Sequence, residues 1–394
     1  MPRPTEAILT DATMRPAPLV RAEVAFLVAV PLLFMLVGLV LRYLAFAAVT
    51  PDASLAGFAE GLCHWDCAWY VHIADRGYDP FPVPDMITAG NWAFFPLSPL
   101  VVSGLQYLLP GTTIVIATIA SLILSVLAAV SAWPLLEGNR RAYVLYSAFL
   151  LSGPFSIYFT TFYTEVLFIL LTTLVFVALK RSSYIPAAVA SALLSATRIV
   201  GVFAALSIIT QAFLDYRRTG GRILGFVPWA LRDAKLVFAI FLAPAGLFAY
   251  MGFLYWRVGD ALAFSHVQRA WARVISDPVH VLWAGLANFP SSGFVPSVSQ
   301  QLALAAIFGL VLTGILFWRR AWPAAIFCLC CLILPLFAGL ASMLRFVVAQ
   351  APLMLLLMTF LARWRWLFVV ALLAFLAGDY YGTIGWLTGY LTIV

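Results

Sequence analysis

The sequence predicts an all-α protein that crosses a membrane many times and carries two long polar segments outside the bilayer. Hydrophobic residues make up 64% of the chain and charged residues only 10%, whereas in soluble proteins about half of the residues are apolar. Several apolar runs approach or exceed the ~20 residues that a helix needs to cross the hydrocarbon core. Bundled helices are then the default architecture, because the core holds no water to satisfy backbone polar groups.

The predicted spans cover the chain from end to end, so we treat residues 1–394 as one integral-membrane domain. The first span, residues 25–40, ends near Arg42 and lacks a convincing cleavage site, so we expect it to be retained. We predict about eleven transmembrane helices. After the first, they are residues 112–135, 143–153, 165–180, a hairpin at 184–214 with its tip near Arg198, one span after Lys235, and then 301–317, 322–341, 346–361 and 366–386.

The basic residues indicate which side of the membrane each loop occupies. A net charge of +7 is compatible with nucleic-acid binding, but the charges sit at predicted helix ends, where they set topology. We therefore expect membrane lipids as partners and no nucleic acid. Most Lys and Arg residues fall on one side in this scheme, and all four histidines fall on the other. The long segments 43–111 and 257–300 are thus predicted to be extracytoplasmic loops carrying amphipathic helices.

The most unusual stretch is residues 63–78, where polar and aromatic residues are dense in an otherwise apolar chain. On a helix, Asp66 and Tyr70 share one face, while Trp65, Trp69 and His72 share another. This pattern predicts an interfacial amphipathic helix with its aromatic face on the bilayer and a carboxylate facing a cavity. The alternative is a surface helix that its tryptophans merely anchor.

The cysteines are expected to have no special role. Cys63 and Cys67 stand four apart on the predicted helix, a poor placement for a disulfide. A metal site formed with His64 and His72 fits the spacing, but we do not favour it, because none of the stronger zinc spacings occurs elsewhere. The remaining three cysteines lie in an apolar run and are interpreted as packing residues: Cys328, Cys330 and Cys331.

Two arginines are predicted to be buried among apolar residues on the outer half of the membrane, Arg198 and Arg345. A guanidinium near hydrocarbon is costly and usually implies a partner or a function. An anionic lipid phosphate would suit its planar donor fork. Structural pairing with Glu165 or Asp379 is the alternative.

Further polar residues have both a functional and a structural interpretation. Tyr163 and Glu165 lie at the outer start of a span, where an acid can serve only to complement the helix dipole. His266 and Arg273 lie in the second outer loop, where they either close a substrate cleft or belong to a solvated loop.

Several of these stretches together resemble a known family. They are Trp65-Asp66-x-x-Trp69-Tyr70-x-x-Ile73-Ala74-x-x-Gly77-Tyr78, Ala93-Phe94-Phe95-Pro96-Leu97-x-Pro99-Leu100, Tyr163-Thr164-Glu165-x-Leu167-Phe168, Thr197-Arg198-x-x-Gly201, Gly259-Asp260-x-x-x-Phe264 with Trp271-x-Arg273, and Arg345-Phe346-x-x-x-x-x-Pro352. In this order they resemble the PIG-V mannosyltransferases, related to the second mannosyltransferase of GPI-anchor assembly, within the GT-C glycosyltransferase superfamily. The chain departs from the family at Cys67, Val166 and Phe346, where small residues at the first two and tyrosine at the third are common.

The resemblance implies a GT-C-like bundle that transfers a sugar, typically mannose, from a polyprenyl-phosphate donor on the extracytoplasmic face, with inversion. Asp66 matches the acid that activates the acceptor hydroxyl, and Arg198 and Arg345 suit the leaving phosphate. The remaining substrate-binding candidates are Trp65, Trp69, Tyr70, His72, Arg76, Tyr163, Glu165, His266 and Arg273. No cofactor is firmly implied, and a divalent metal is not favoured.

The acceptor stays open among a glycolipid, an envelope glycan and a protein. Short loops and an Ala/Arg-rich composition are typical of bacteria, which do not make GPI anchors, so we expect a multi-pass protein of a bacterial inner membrane with its site facing the periplasm. A transporter or flippase of lipid-linked sugars is the alternative from another class, because its intramembrane charges would line a pathway. A non-catalytic subunit that only binds lipid-linked glycans is the third.

Overall fold

The computed structural model describes residues 21–80, 89–287 and 296–389, and within these ranges the secondary structure is helical, with no strand. The α-helices of the first half are α1 Arg21–Val49, α2 Phe58–Leu62, α3 Asp66–Arg76, α4 Leu97–Gln106, α5 Thr113–Ser131, α6 Trp133–Leu136, α7 Arg140–Ser152, α8 Ile157–Thr160, α9 Glu165–Lys180 and α10 Tyr184–Ser195. The α-helices of the second half are α11 Ala204–Arg218, α12 Phe226–Arg232, α13 Ala234–Leu242, α14 Ala245–Val258, α15 Ala263–His266, α16 Pro278–Ala287, α17 Val298–Trp318, α18 Trp322–Leu336, α19 Met343–Val348, α20 Ala351–Leu361 and α21 Arg365–Thr388. Short 3-10 turns cover Asn91–Ala93, Ile199–Phe203, Ile223–Gly225 and Val267–Trp271.

Among the described helices, five are long and apolar enough to cross a membrane, and a sixth span results if α13 and α14 count as one span bent by 45°. These helices support a membrane-embedded, all-helical protein. The other predicted spans form shorter or interrupted helices. The predicted span 346–361, for example, is interrupted between α19 and α20, and α7 has only 13 residues, about 20 Å of helix.

The interior of the bundle is formed by α7 and α9, around which α1, α5, α10, α20 and α21 pack. Almost every side chain of α9 is buried, as expected for a helix that is apolar all round. The predicted hairpin at 184–214 breaks where expected, since α10 ends at Ser195 and Arg198 adopts an extended conformation. Because the helix stops before Arg198, the guanidinium of Arg198 reaches the start of α9.

The first helix extends past its predicted end near Arg42 and reaches Val49. Arg42 is 1% exposed, and its Nη1 lies 3.1 Å from Oδ1 of Asp379 on α21 and 2.6 Å from Oγ of Ser156. Because this ion pair compensates the charge inside the bundle, the arginine does not mark the end of the helix. The pair joins the first and last long helices of the described chain.

Candidate functional site

The helix α3 begins with Asp66 and packs against the rest of the protein through one apolar face. Cys67, Tyr70 and Ile73 are buried on that face, and α3 packs against α4 and α5. Burial raises the pKa of the Tyr70 hydroxyl, and the negative charges of Asp66 and Glu165 raise it further. Tyr70 is therefore a neutral phenol beside the acids, available as a donor but not as a base.

Four side chains from distant parts of the sequence meet above α3, and we call Asp66, Glu165, Arg198 and Arg345 the charged cluster. Arg345 donates from Nη1 to Oδ2 of Asp66 at 2.5 Å and from Nε to Oε1 of Glu165 at 2.5 Å. Arg198 donates from Nη2 to the same Glu165 oxygen at 2.8 Å. Asp66 and Arg345 are 279 positions apart in the chain, so the fold and not the local sequence assembles this site.

Exposure differs sharply within the charged cluster. The side chains of Glu165 and Arg345 are 0% and 2% exposed, Arg198 is 12% exposed, and Asp66 is 29% exposed. The predicted burial is thus confirmed for Arg345, whereas Arg198 is only partly buried. Asp66 is the member of the cluster that a molecule from solution reaches most easily, while Glu165 lies at the buried end of the cluster.

Two polar atoms of the charged cluster are buried without a hydrogen-bond partner, Nη1 of Arg198 and Oε2 of Glu165. A buried donor or acceptor that lacks a partner is costly. The unpaired Arg198 donor would be satisfied by an accepting group, and the unpaired Glu165 oxygen by a donating one. Arg198 also stacks over Phe346 at 4.7 Å from the ring centroid, which holds its guanidinium plane.

A third arginine, Arg273, adds positive charge from the second loop. Its Nη1 donates to Oε1 of Gln268 at 3.1 Å and its Nη2 to Oγ of Ser342 at 3.4 Å. Burial lowers the pKa of its guanidinium, and the nearby charges of Arg345 and Arg198 lower it further, while Asp66 opposes them. With three guanidiniums and two carboxylates, the region carries one net positive charge and favours an anion.

Tyr163 connects the charged cluster to the segment that precedes α3. Its hydroxyl donates to the carbonyl oxygen of His64 at 2.7 Å, and the Arg345 guanidinium lies 4.8 Å from its ring centroid. Tyr158, which the sequence did not single out, also lies beside Arg345, at 5.6 Å. Only its place just upstream of Tyr163 in an aromatic run could have indicated it.

The two tryptophans of residues 63–78 do not share a face as predicted. Trp65 precedes α3 with a φ of 54° and is 44% exposed. Trp69 points into the protein, where it stacks on Phe94 at 5.5 Å and meets Trp271 of the second loop edge-on at 6.1 Å. The prediction that both tryptophans lie on one face of a helix is wrong, because Trp65 lies before the first residue of α3 and has a positive φ.

The remaining candidate residues are exposed, half-buried or in contact with residues outside the charged cluster. Arg76 is exposed at the end of α3, about 15 Å along the helix axis from Asp66, and His72 is half-buried between them. Nδ1 of His266 lies 2.7 Å from Oδ2 of Asp260, within its own loop. Asp379, the alternative partner for the arginines, pairs with Arg42 instead.

Cys63 and Cys67 form a disulfide, which contradicts the expectation that they are poorly placed for one. The expectation assumed that both lie on one helix. Cys63 instead follows α2 in an extended conformation, and α3 begins only at Asp66, so the two Cα atoms are 5.4 Å apart, a normal disulfide separation. With both sulfurs in this bond, they do not serve as thiolate ligands, which removes the metal interpretation of the Cys/His spacing.

Comparison with known proteins finds no matching family model, no matching curated protein and no matching solved structure.

Proposed function

We propose that this protein is a GT-C-like integral-membrane glycosyltransferase. In this proposal a bundle of about eleven transmembrane helices, in a bacterial inner membrane, transfers a sugar from a polyprenyl-phosphate donor to a hydroxyl of a glycolipid, envelope glycan or protein. The reaction takes place on the extracytoplasmic face with inversion, and mannose is the first sugar to test.

The observation that carries the proposal is the convergence of separate sequence stretches on one site. The stretches around Asp66, Glu165, Arg198 and Arg345 all contribute to the resemblance, and their charged residues form one hydrogen-bonded cluster. A purely structural role for each residue would not require one carboxylate of the charged cluster, Asp66, to be 29% exposed while Glu165 and Arg345 are buried.

The chemistry assigned to the site needs one base and one anion-binding wall. Asp66 takes the proton of the acceptor hydroxyl as that oxygen bonds to the anomeric carbon. The bond from the anomeric carbon to the phosphate oxygen breaks, and the phosphate leaves with the electron pair. Arg198 and Arg345 stabilise the charge that develops on it, and Glu165 holds both guanidiniums in place.

The test of the base uses purified protein in lipid nanodiscs with polyprenyl-phosphate mannose and a panel of glycolipid acceptors. Asp66→Asn is expected to lower the transfer rate by about 10²–10⁴-fold, the usual loss of a positioned general base. Asp75→Asn is the matched control, because Asp75 lies on the same helix and accepts from Thr113 and Gln106 instead. Equal transfer by wild type and Asp66→Asn would remove Asp66 from catalysis.

The test of the anion-binding wall is Arg198→Gln, which removes the unpaired donor. We expect the KM for the lipid-linked donor to rise while the KM for the acceptor stays unchanged, because only the phosphate contacts this side chain in the proposed reaction. Initial rates at varied donor and acceptor concentrations measure both constants. An unchanged donor KM would argue against the phosphate role.

A transporter or flippase of lipid-linked sugars has one observation in its favour. The pair α13 and α14 is bent by 45° at Ala243–Pro244, and transporters often use broken helices at their substrate sites. Proteoliposomes loaded with a fluorescent lipid-linked sugar distinguish the two functions. Movement of the lipid between leaflets without any transfer product would favour the flippase.

A further inference from the structure

The five residues Cys63 to Cys67 form a covalent ring that contains Asp66. The disulfide closes this ring across the junction of α2 and α3. Cys67 is fully buried, and Cys63 is half-buried. The disulfide links the residue directly after the proposed base, Cys67, to a residue before it, Cys63, and so restrains the backbone of Asp66.

The local backbone needs such a constraint. Trp65 has φ 54° and ψ −119°, a positive φ that a bulky side chain rarely adopts unless the surroundings impose it. No side chain caps the N-terminus of α3. The turn is held by hydrogen bonds from Cys67 N to His64 O at 3.2 Å and from Ala68 N to Trp65 O at 3.3 Å, both long.

The rest of the protein holds one carbonyl group within the ring and one carbonyl group just before it. Tyr163 donates to His64 O at 2.7 Å, and Nε1 of Trp386 donates to Leu62 O at 3.1 Å. The Tyr163 ring also lies against the guanidinium of Arg345, which binds Asp66. Tyr163 thus contacts both the disulfide ring, at His64, and the charged cluster, at Arg345.

We propose that Cys63 and Cys67 are positioning residues, whose disulfide holds the Asp66 carboxylate at Arg345 and at the reacting hydroxyl. This inference rests on the proposed function. In forming the bond, the two thiols give up two electrons and two protons to a disulfide oxidant, which becomes a dithiol. A dithiol reductant reverses the step by supplying two electrons and two protons. Oxidising compartments maintain such bonds, in agreement with an extracytoplasmic position for this loop.

The first test compares oxidised and reduced wild-type protein in nanodiscs, with the thiols counted by mass spectrometry after alkylation. Reduction by dithiothreitol is expected to lower kcat by about 10²-fold, the effect of a small misplacement of a reacting group, with the donor KM unchanged. Reoxidation of protein that has not been alkylated restores kcat. Cys63→Ser gives the low kcat without further response to reductant, whereas Cys330→Ser, at a free cysteine of α18, responds as wild type does. A reduced protein with the kcat of oxidised protein overturns the inference.

The second test does not depend on transferase activity. The decrease in melting temperature that Asp66→Asn causes, relative to wild type, is measured with the disulfide intact and again after reduction of the folded proteins. If the ring places Asp66 at Arg345, this decrease is smaller in reduced protein, where the ion pair is no longer held. Equal decreases in melting temperature in the oxidised and reduced proteins overturn the inference. This test does not require Cys63→Ser to fold. A redox-dependent decrease in a protein with no transfer activity removes the proposed function and leaves the positioning role standing.

Discussion

Replacing Glu165 by glutamine tests whether one buried carboxylate holds the charged cluster together. Glu165 is 0% exposed and accepts from Arg345 at 2.5 Å and from Arg198 at 2.8 Å through the same oxygen. The substitution keeps the size of the side chain and one acceptor oxygen but removes the charge. It leaves two guanidiniums with Asp66 as their one remaining acidic partner in the charged cluster.

The magnitude follows from these contacts. A hydrogen bond to a charged group contributes about 1.5–3 kcal/mol, and breaking a buried ion pair costs about 3–5 kcal/mol because a charge is left without compensation. Since glutamine retains one weaker acceptor, we expect a loss of about 3–5 kcal/mol in the free energy of unfolding. The loss is measured by titrating folded protein in mixed micelles with a denaturing detergent.

Glu137→Gln is the matched control. Glu137 is likewise in an ion pair, with Lys180 at 2.7 Å, but the Glu137 and Lys180 side chains are 33% and 24% exposed. Exposed pairs contribute about 0.2–1 kcal/mol, so the control should lose no more than that. Equal losses in the two variants would refute the argument that burial makes the Glu165 contacts strong.

Two further substitutions test the packing of α1 against the bundle, both by the same unfolding titration. Asp379→Asn is expected to cost about 3–5 kcal/mol because it leaves Arg42 buried without its counter-charge, and a loss below that of Glu137→Gln would contradict this. Gly38→Ala is expected to cost at least about 1–3 kcal/mol, because its Cβ would lie 1.9 Å from the carbonyl oxygen of Leu151. Gly104→Ala, where a Cβ meets open space, should instead be neutral or stabilising by up to about 1 kcal/mol, and the reverse order of the two glycine variants would refute the packing argument.

The tertiary structure decided the electrostatic partners. The sequence predicted that Arg198 and Arg345 are buried, since each stands among apolar residues, but it did not choose between Glu165 and Asp379 as a structural partner. The structure assigns Glu165 to both arginines and Asp379 to Arg42. Such choices depend on which helices become neighbours, and residues 33 and 180 positions away from Glu165 leave no periodic signal that would identify them.

The disulfide shows the same limit over a much shorter distance. A spacing of four residues excludes a cross-link only if the segment is one helix. The break between α2 and α3 contains Trp65, which has a positive φ, and tertiary hydrogen bonds reach the carbonyls of His64 and Leu62 beside it. Helical periodicity counted along the chain does not detect a single residue of this kind.

What the sequence determined by itself is the helical, membrane-embedded class of the protein and the small set of polar residues that stand out against it. Both follow from local composition, because the cost of placing backbone or charge in hydrocarbon is paid residue by residue. The tertiary structure alone decided that Asp66 lies in a covalent ring, against Arg345, at the partly exposed edge of a buried charged cluster. That arrangement requires contacts between helices far apart in the chain, and only the packed bundle brings them within hydrogen-bond distance.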